Sequence, residues 1–308
     1  MPVLRELSQI ARAQLATTDR NHIPGAETPI ADDFEAWLSY LLDDVPWLDA
    51  GAKYRSLGAF HDLVEAIHVV LEAAEATVAT RAMPGWLEQL VRHWENENAQ
   101  VITFNYDTLV EMAWLESHPQ WNYPLPLYPV PLTLPLNQRV ERVKPEGVGL
   151  RLLKLHGSLS WWYSGEGSPP GDVVYAAHVP QWSRFQDEYG YDRQHLSDKF
   201  PLIVAPTAIK SSYYTNGVIR ALWRKAAEAV HQADRLVLMG FSMPPSDLTF
   251  GALLATELRE GTEIVPVNLT EEVAGHLTAR LGSRFAVARD FLKEDAIEAW
   301  VTEHARGG

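Results

Sequence analysis

Cysteine is absent from all 308 residues, which excludes disulfides, thiolate nucleophiles, Cys-based zinc modules and Cys-ligated iron–sulfur clusters together. A cysteine-free chain suits the reducing cytoplasm, and a cytoplasmic location is expected. Positive charge is scarce: 26 Lys plus Arg stand against 40 Asp plus Glu, a formal net charge of −14. That sign opposes a surface that binds nucleic acid by releasing counterions from phosphate, so no nucleic-acid partner is expected. Long apolar runs are missing as well. Nowhere do about eighteen apolar residues run together, and the first twenty residues carry Arg5, Glu6, Arg12, Asp19 and Arg20, so neither a membrane span nor a signal peptide is expected. No Walker-type Gly-Lys-Ser/Thr run and no HExxH pair occurs, and Gly240-Phe241-Ser242-Met243-Pro244 lacks the last glycine of a Gly-x-Ser-x-Gly elbow. Nucleoside triphosphatase, metal-site and triad-hydrolase readings therefore drop, and no metal ligands are assigned.

What is present is an ordinary globular balance, 46% apolar and 21% charged, in a chain long enough for one large domain or two smaller ones. Residues 1–99 read as helical. Leu4, Leu7, Ile10, Ala11 and Leu15 recur at three- and four-residue steps, as do Phe34, Trp37, Leu38, Leu41 and Leu42. Asp32 or Asp33 suits the cap of the second helix, an Ala-rich helix is expected from about Phe60 to Ala82, and Pro84 opens another that ends near Asn96. From residue 100 the pattern alternates. Short apolar runs at Val101 to Phe104, Leu152 to Leu155, Leu202 to Ala205, Leu236 to Met239 and Ile264 to Asn268 are expected as strands, with helices at Thr108 to Glu116, Val218 to Gln232 and Leu248 to Glu260. This predicts an α/β fold with a doubly wound parallel sheet over 100–308 and a helical N-terminal region packed on it.

Two tracts interrupt the alternation. Seven prolines between His118 and Pro145 alternate with Leu, Val and Tyr, which predicts an extended surface connector over 118–145. Residues 158–200 hold Trp161, Trp162, Tyr163, Trp182, Tyr189 and Tyr191 among Gly and Pro, and read as a small irregular packed insertion beside a site. The Trp161-Trp162 pair is expected to be core packing rather than a stacking platform.

Ligands of doubly wound sheets bind beyond the carboxyl ends of the strands. The polar residues there are Asn105-Tyr106-Asp107, His156-Gly157-Ser158, Gly240-Phe241-Ser242 and Asn268. Each has a plain reading beside the functional one. His156 could bond a neighbouring carbonyl or face a ligand. Asn105 and Asp107 could close an Asx turn and cap the next helix, or contact substrate. Gly240 and Ser242 could form only a tight turn, or hold a phosphate on backbone N–H groups without cationic side chains.

Taken in order, TFNYD (103–107), KLHGS (154–158), APTAIK (205–210), LVLMGFSMPPSD (236–247) and VNL (267–269) resemble the sirtuin-like NAD-binding family, a Rossmann-type fold. The segment ADDFEAWLSYLLDD (31–44) resembles its bacterial NAD-consuming branch. The resemblance covers roughly 100–270. It implies that Asn105 and Asp107 hold the nicotinamide ribose and orient the nicotinamide, that His156 is the general base, and that Thr103, Phe104, Gly240, Ser242 and Asn268 bind the dinucleotide. Protein-deacylating members are similar to one another in a four-cysteine zinc module, which a cysteine-free chain cannot build, so no zinc is expected. The family also opens with a strand and a Gly-Ala-Gly-x-Ser loop, whereas Met1 leads directly into PVLRELSQ. A form without that loop is expected to bind the dinucleotide weakly, since each charge-assisted bond lost costs about 1.5 to 3 kcal/mol. The sheet edge left open is a place for a second copy or a partner protein to pair.

The function implied is an NAD glycohydrolase that splits the nicotinamide–ribose bond with water, serving as an antiviral defence effector in bacteria. NAD is its substrate. Two alternatives stand beside it: a sensor module that binds NAD or an ADP-ribose derivative without turnover, and a zinc-free NAD-dependent protein deacylase.

Overall fold

The computed structural model describes residues 9, 13, 24–135, 149–165, 169, 171–179, 192–207, 210, 212–241, 247–282 and 285–305. In chain order they form α1 (Phe34–Leu42), α2 (Ala50–Ala79), α3 (Gly85–Asn96), β1 (Gln100–Thr103), α4 (Leu109–Ser117), β2 (Arg151–Lys154), β3 (Gly157–Tyr163), β4 (Tyr175–Ala176) and β5 (Phe200–Ile203). There follow α5 (Gly217–Gln232), β6 (Arg235–Met239), α6 (Leu248–Glu257), β7 (Glu263–Asn268), α7 (Glu272–Leu281), β8 (Phe291–Leu292) and α8 (Ala296–His304). Among the described residues no helix is long and apolar enough to cross a membrane. Of the helix expected over Leu4 to Leu15 only residues 9 and 13, both helical, are among the described residues.

The chain divides into two compact units, each drawn from three segments: Met1–Ala82, Thr103–Glu146 and Lys154–Arg220 form the first, and Met83–Ile102, Gly147–Leu153 and Ala221–Gly308 the second. The helical stretch 1–99 is therefore shared between them, α1 and α2 in the first and α3 in the second. The architecture is mixed α/β with parallel pairing, but the strands fall into three groups rather than one continuous sheet: β1-β2, β4-β3-β5 and β6-β7-β8.

In the first unit, Asp33 caps α1 by accepting from Ala36 N–H at 3.1 Å, and Asp49 caps α2 by accepting from Ala52 N–H at 2.7 Å. The second cap starts α2 ten residues before the expected Phe60. Along α2 the buried stripe runs Phe60, Leu63, Val64, Ile67, Leu71 and then Glu75, the three- and four-residue spacing of one helix face. This stripe forms a core with Phe34, Trp37, Leu38 and Leu41 of α1 and with Leu159 and Ile203 of the sheet.

That sheet corrects two expectations. Residues 157–163 are not irregular: β3 is buried throughout and pairs antiparallel with β4 (Trp161 opposite Ala176) and with β5 (Gly157 opposite Ile203). β5 is antiparallel to its partner, not a member of a parallel set. Trp161 and Trp162 are core residues, the first packed edge-on against Tyr128 at 5.1 Å and the second against His68 at 5.1 Å. Residues 180–191 of the expected insertion lie outside the described residues.

The proline-rich tract is corrected too. Pro126, Leu127, Tyr128, Val130 and Leu134 are buried, and Thr133 pairs with the β4 region through Thr133 N–H to the Val174 carbonyl and Ala176 N–H to the Thr133 carbonyl. The Leu, Tyr and Val side chains there are apolar and seek cover, while proline, lacking an N–H, is tolerated on a sheet edge. The tract is a packed edge of the unit as far as Pro135; residues 136–148 lie outside the described residues.

In the second unit β6, β7 and β8 are parallel, with Leu236 opposite Ile264 and Val267 opposite Phe291. The sequence β6-α6-β7-α7-β8 is a run of crossover units, as alternation predicts. Leu90 of α3, Val265 and Val267 of β7, and Trp300 and Val301 of α8 form its core. β8 and α8 lie beyond the last strand expected from the sequence.

Candidate functional site

β1 and β2 set the first group of residues. Arg151 N–H donates to the Ala99 carbonyl and Leu155 N–H to the Thr103 carbonyl, both at 3.0 Å. Donor and acceptor advance by the same step (155 − 151 = 103 − 99 = 4), so the strands are parallel and end together. Asn105-Tyr106-Asp107 leaves one strand and His156 the other at this shared carboxyl end, inside the first unit.

The turn after β1 is closed by its own side chains. Thr103 Oγ1 accepts from Asn105 N–H at 3.1 Å, and Asp107 Oδ1 accepts from Leu109 N–H at 3.3 Å, an Asx turn that starts α4. The Asx-turn reading of Asp107 is thus realised, with the other carboxylate oxygen outside that bond, while Thr108 occupies the cap position of α4. Asn105 is exposed. Tyr106 points inward, its hydroxyl donating to the Val204 carbonyl at 2.7 Å, and its phenol is held far above the usual range by burial.

His156 is buried, with its ring edge-on to Phe104 at 4.9 Å. Its backbone carbonyl accepts from Val204 N–H at 2.9 Å, which ties it to the chain beyond β5. Nε2 is buried without a hydrogen-bond partner. Burial, with the Lys210 cation adding to it, pushes the imidazole down to about 3, so it is neutral at physiological pH and one of its two ring nitrogens is an acceptor. His68 shows the contrasting role: its Nε2 lies 2.9 Å from the Leu159 carbonyl and serves packing. Directly after His156, Gly157 has φ of +82°, and a Cβ there would overlap the Leu202 carbonyl oxygen, so only glycine lets β3 and β5 approach.

Beneath the turn lies a set of charges that sequence reasoning did not single out. Lys154, fully buried, donates to the carbonyls of Tyr106 and Asp107 and pairs with Glu111 Oε1 at 2.8 Å. The Tyr128 hydroxyl donates to the same Glu111 oxygen at 2.8 Å. Glu75 Oε1 accepts from both the N–H and the hydroxyl of Thr108 at 2.6 Å. Burial raises Glu75 to about 7, partly offset by the Thr108 bonds, with Asp107 adding to the rise. A signal existed for two of them: Lys154 interrupts the apolar run LLKL, and Glu75 falls on the apolar stripe of α2.

No protein-family model matches this chain, and no curated protein is similar to it. The site rests on its geometry.

A second group sits at the strand ends of the second unit. Gly240 N–H donates to the Val267 carbonyl at 2.9 Å with φ of +63°, a left-handed turn that favours glycine. Asn268 Nδ2 donates to the Phe241 carbonyl at 3.2 Å, and Asn268 Oδ1 accepts from Leu269 N–H at 2.7 Å. Gly240 and Asn268 therefore meet across β6 and β7. Ser242 lies outside the described residues. Among the described residues no group of three or more His, Asp or Glu side chains is placed to hold a metal ion.

Proposed function

We propose that this chain is an NAD glycohydrolase of the sirtuin-like NAD-binding family, built on a doubly wound Rossmann-type fold, with NAD as substrate and water as acceptor. The observation that carries the reading is that Asn105, Asp107 and His156 leave two parallel strands at one end, with the Phe104 ring against the imidazole. An amide, an acid and an imidazole are thereby held by adjoining backbone.

The chemistry follows from charge. As the ribose C1′–N bond breaks, its electron pair leaves with nicotinamide and positive charge builds on the sugar; the Asp107 carboxylate stabilises that charge. Water attacks C1′, and its proton passes to His156 Nε2, giving nicotinamide, ADP-ribose and a proton. A base near 3 accepts a proton only from a strongly acidified donor, and water bonding to a cationic sugar carbon becomes one. Asn105 orients the ribose and the nicotinamide amide. The resemblance also gives Gly240, Ser242 and Asn268 the phosphate and adenosine ribose, and Thr103 and Phe104 contacts to the dinucleotide.

Nicotinamide release from NAD by the intact chain, compared with Asn105→Ala and His156→Ala, tests this. Losses of about 10²- to 10⁴-fold are expected, and rates equal to the unsubstituted chain would remove those residues from the reaction. The low proton affinity of His156 favours a second reading, binding without turnover. Calorimetric binding of ADP-ribose with NAD intact after hours would select it.

A further inference from the structure

The turn that carries Asp107 is not held by its own hydrogen bonds alone. Two buried groups grip it from below: Lys154 by the carbonyls of Tyr106 and Asp107, and Glu75 by the N–H and hydroxyl of Thr108. Lys154 and Glu111 each expose only 1% of their side chains. A buried ion pair is a poor way to gain stability, because desolvation offsets most of the attraction. Lys154 spends two of its donors on backbone carbonyls of the turn, an arrangement that fixes the turn's position and not only the pair's charge.

We infer that Lys154 is a positioning residue for Asp107, its ammonium anchoring the Tyr106 and Asp107 carbonyls so that the carboxylate is presented in one orientation at the end of β1. This rests on the glycohydrolase reading for its chemical consequence, and on the contacts alone for its structural one. Glu111 and Tyr128 then serve to neutralise and orient the ammonium from the other side.

Lys154→Met alone would leave Glu111 as an uncompensated buried charge, so the test uses Lys154→Met/Glu111→Gln, in which the glutamine still accepts from Tyr128. If that variant does not fold, Lys154→Met/Glu111→Leu/Tyr128→Phe replaces the whole polar set with apolar groups and carries the same readings. Two quantities are measured on the folded variant: kcat and KM for nicotinamide release from NAD, and amide hydrogen exchange of the peptide spanning 104–112.

The expected result is kcat lower by about tenfold or more with KM changed less than about twofold, because the transition state alone needs the oriented carboxylate, together with at least tenfold faster exchange in that peptide. Unchanged kcat in a variant that folds shows the pair to be structural only and overturns the inference. Lower kcat with unchanged exchange overturns it too, since ordering of the turn is what Lys154 is said to supply. If the unsubstituted chain releases no nicotinamide, the glycohydrolase reading fails by itself, and exchange decides alone: faster exchange upholds the anchoring, and unchanged exchange removes it.

Discussion

Replacing Glu75 by glutamine keeps the oxygen that accepts from Thr108 while removing a titration. Glu75 is raised from 4.5 to about 7 in the folded chain, chiefly by burial, with Asp107 raising it and Lys154 and the Thr108 bonds opposing. A raised folded value means that the contribution to stability is complete below 4.5 and is lost as pH rises through 7. Throughout the range from pH 7 to pH 5 the folded chain holds about half or more of a proton that the unfolded chain does not. At about 1.4 kcal/mol per pH unit, and allowing for half-titration at pH 7, the wild type gains about 2 kcal/mol over Glu75→Gln across that interval. Guanidinium unfolding followed by tryptophan fluorescence at pH 5, 6 and 7 reads the difference directly. A gap between the two chains that stays constant within about 0.5 kcal/mol over this range would refute the buried, proton-binding Glu75.

His156 should do the opposite. Its folded value near 3, below an ordinary 6.5, gives a contribution present above 6.5 and lost as pH falls, so His156→Gln should gain about 2 kcal/mol relative to wild type between pH 7 and pH 5; a parallel pH profile would contradict a neutral buried imidazole. Gly157→Ala places a Cβ on the Leu202 carbonyl at a positive φ, and should cost more than about 2 kcal/mol in urea unfolding, a loss below about 1 kcal/mol being incompatible with that contact. Asp49→Ala removes the cap of a 30-residue helix and should lower stability by about 1 kcal/mol, read from the unfolding midpoint; Asp49→Asn should recover most of it.

The elements whose residues show one clear period were legible. α1, α3, β6 and β7 lie within a residue or two of where their patterns put them, because each is an apolar or amphipathic run bounded by polar residues or proline. The strand-end position of Asn105, Asp107 and His156 was legible for the same reason, since β1 and β2 are short apolar runs that stop at polar residues. β3 was not, because GSLSWWY is buried on both faces and shows no alternation. The tract 124–135 misled through its prolines, which exclude a central strand but permit an edge. The anchoring charges went unseen because Glu75 and Lys154 acquire meaning only when residues 33 and 47 positions away, respectively, reach them (108 − 75 and 154 − 107).

The core of the first unit joins Leu71 to Ile203, a separation of 203 − 71 = 132 residues. At about 5 to 20 residues per second on a ribosome, the apolar stripe of α2 emerges roughly 7 to 26 seconds before the strand that covers it. Loop closures of that span also slow folding in free solution. The newborn chain therefore carries a sticky helix for as long as those residues take to be made, with Phe60, Leu63, Ile67 and Leu71 lacking their sheet cover until β5 arrives.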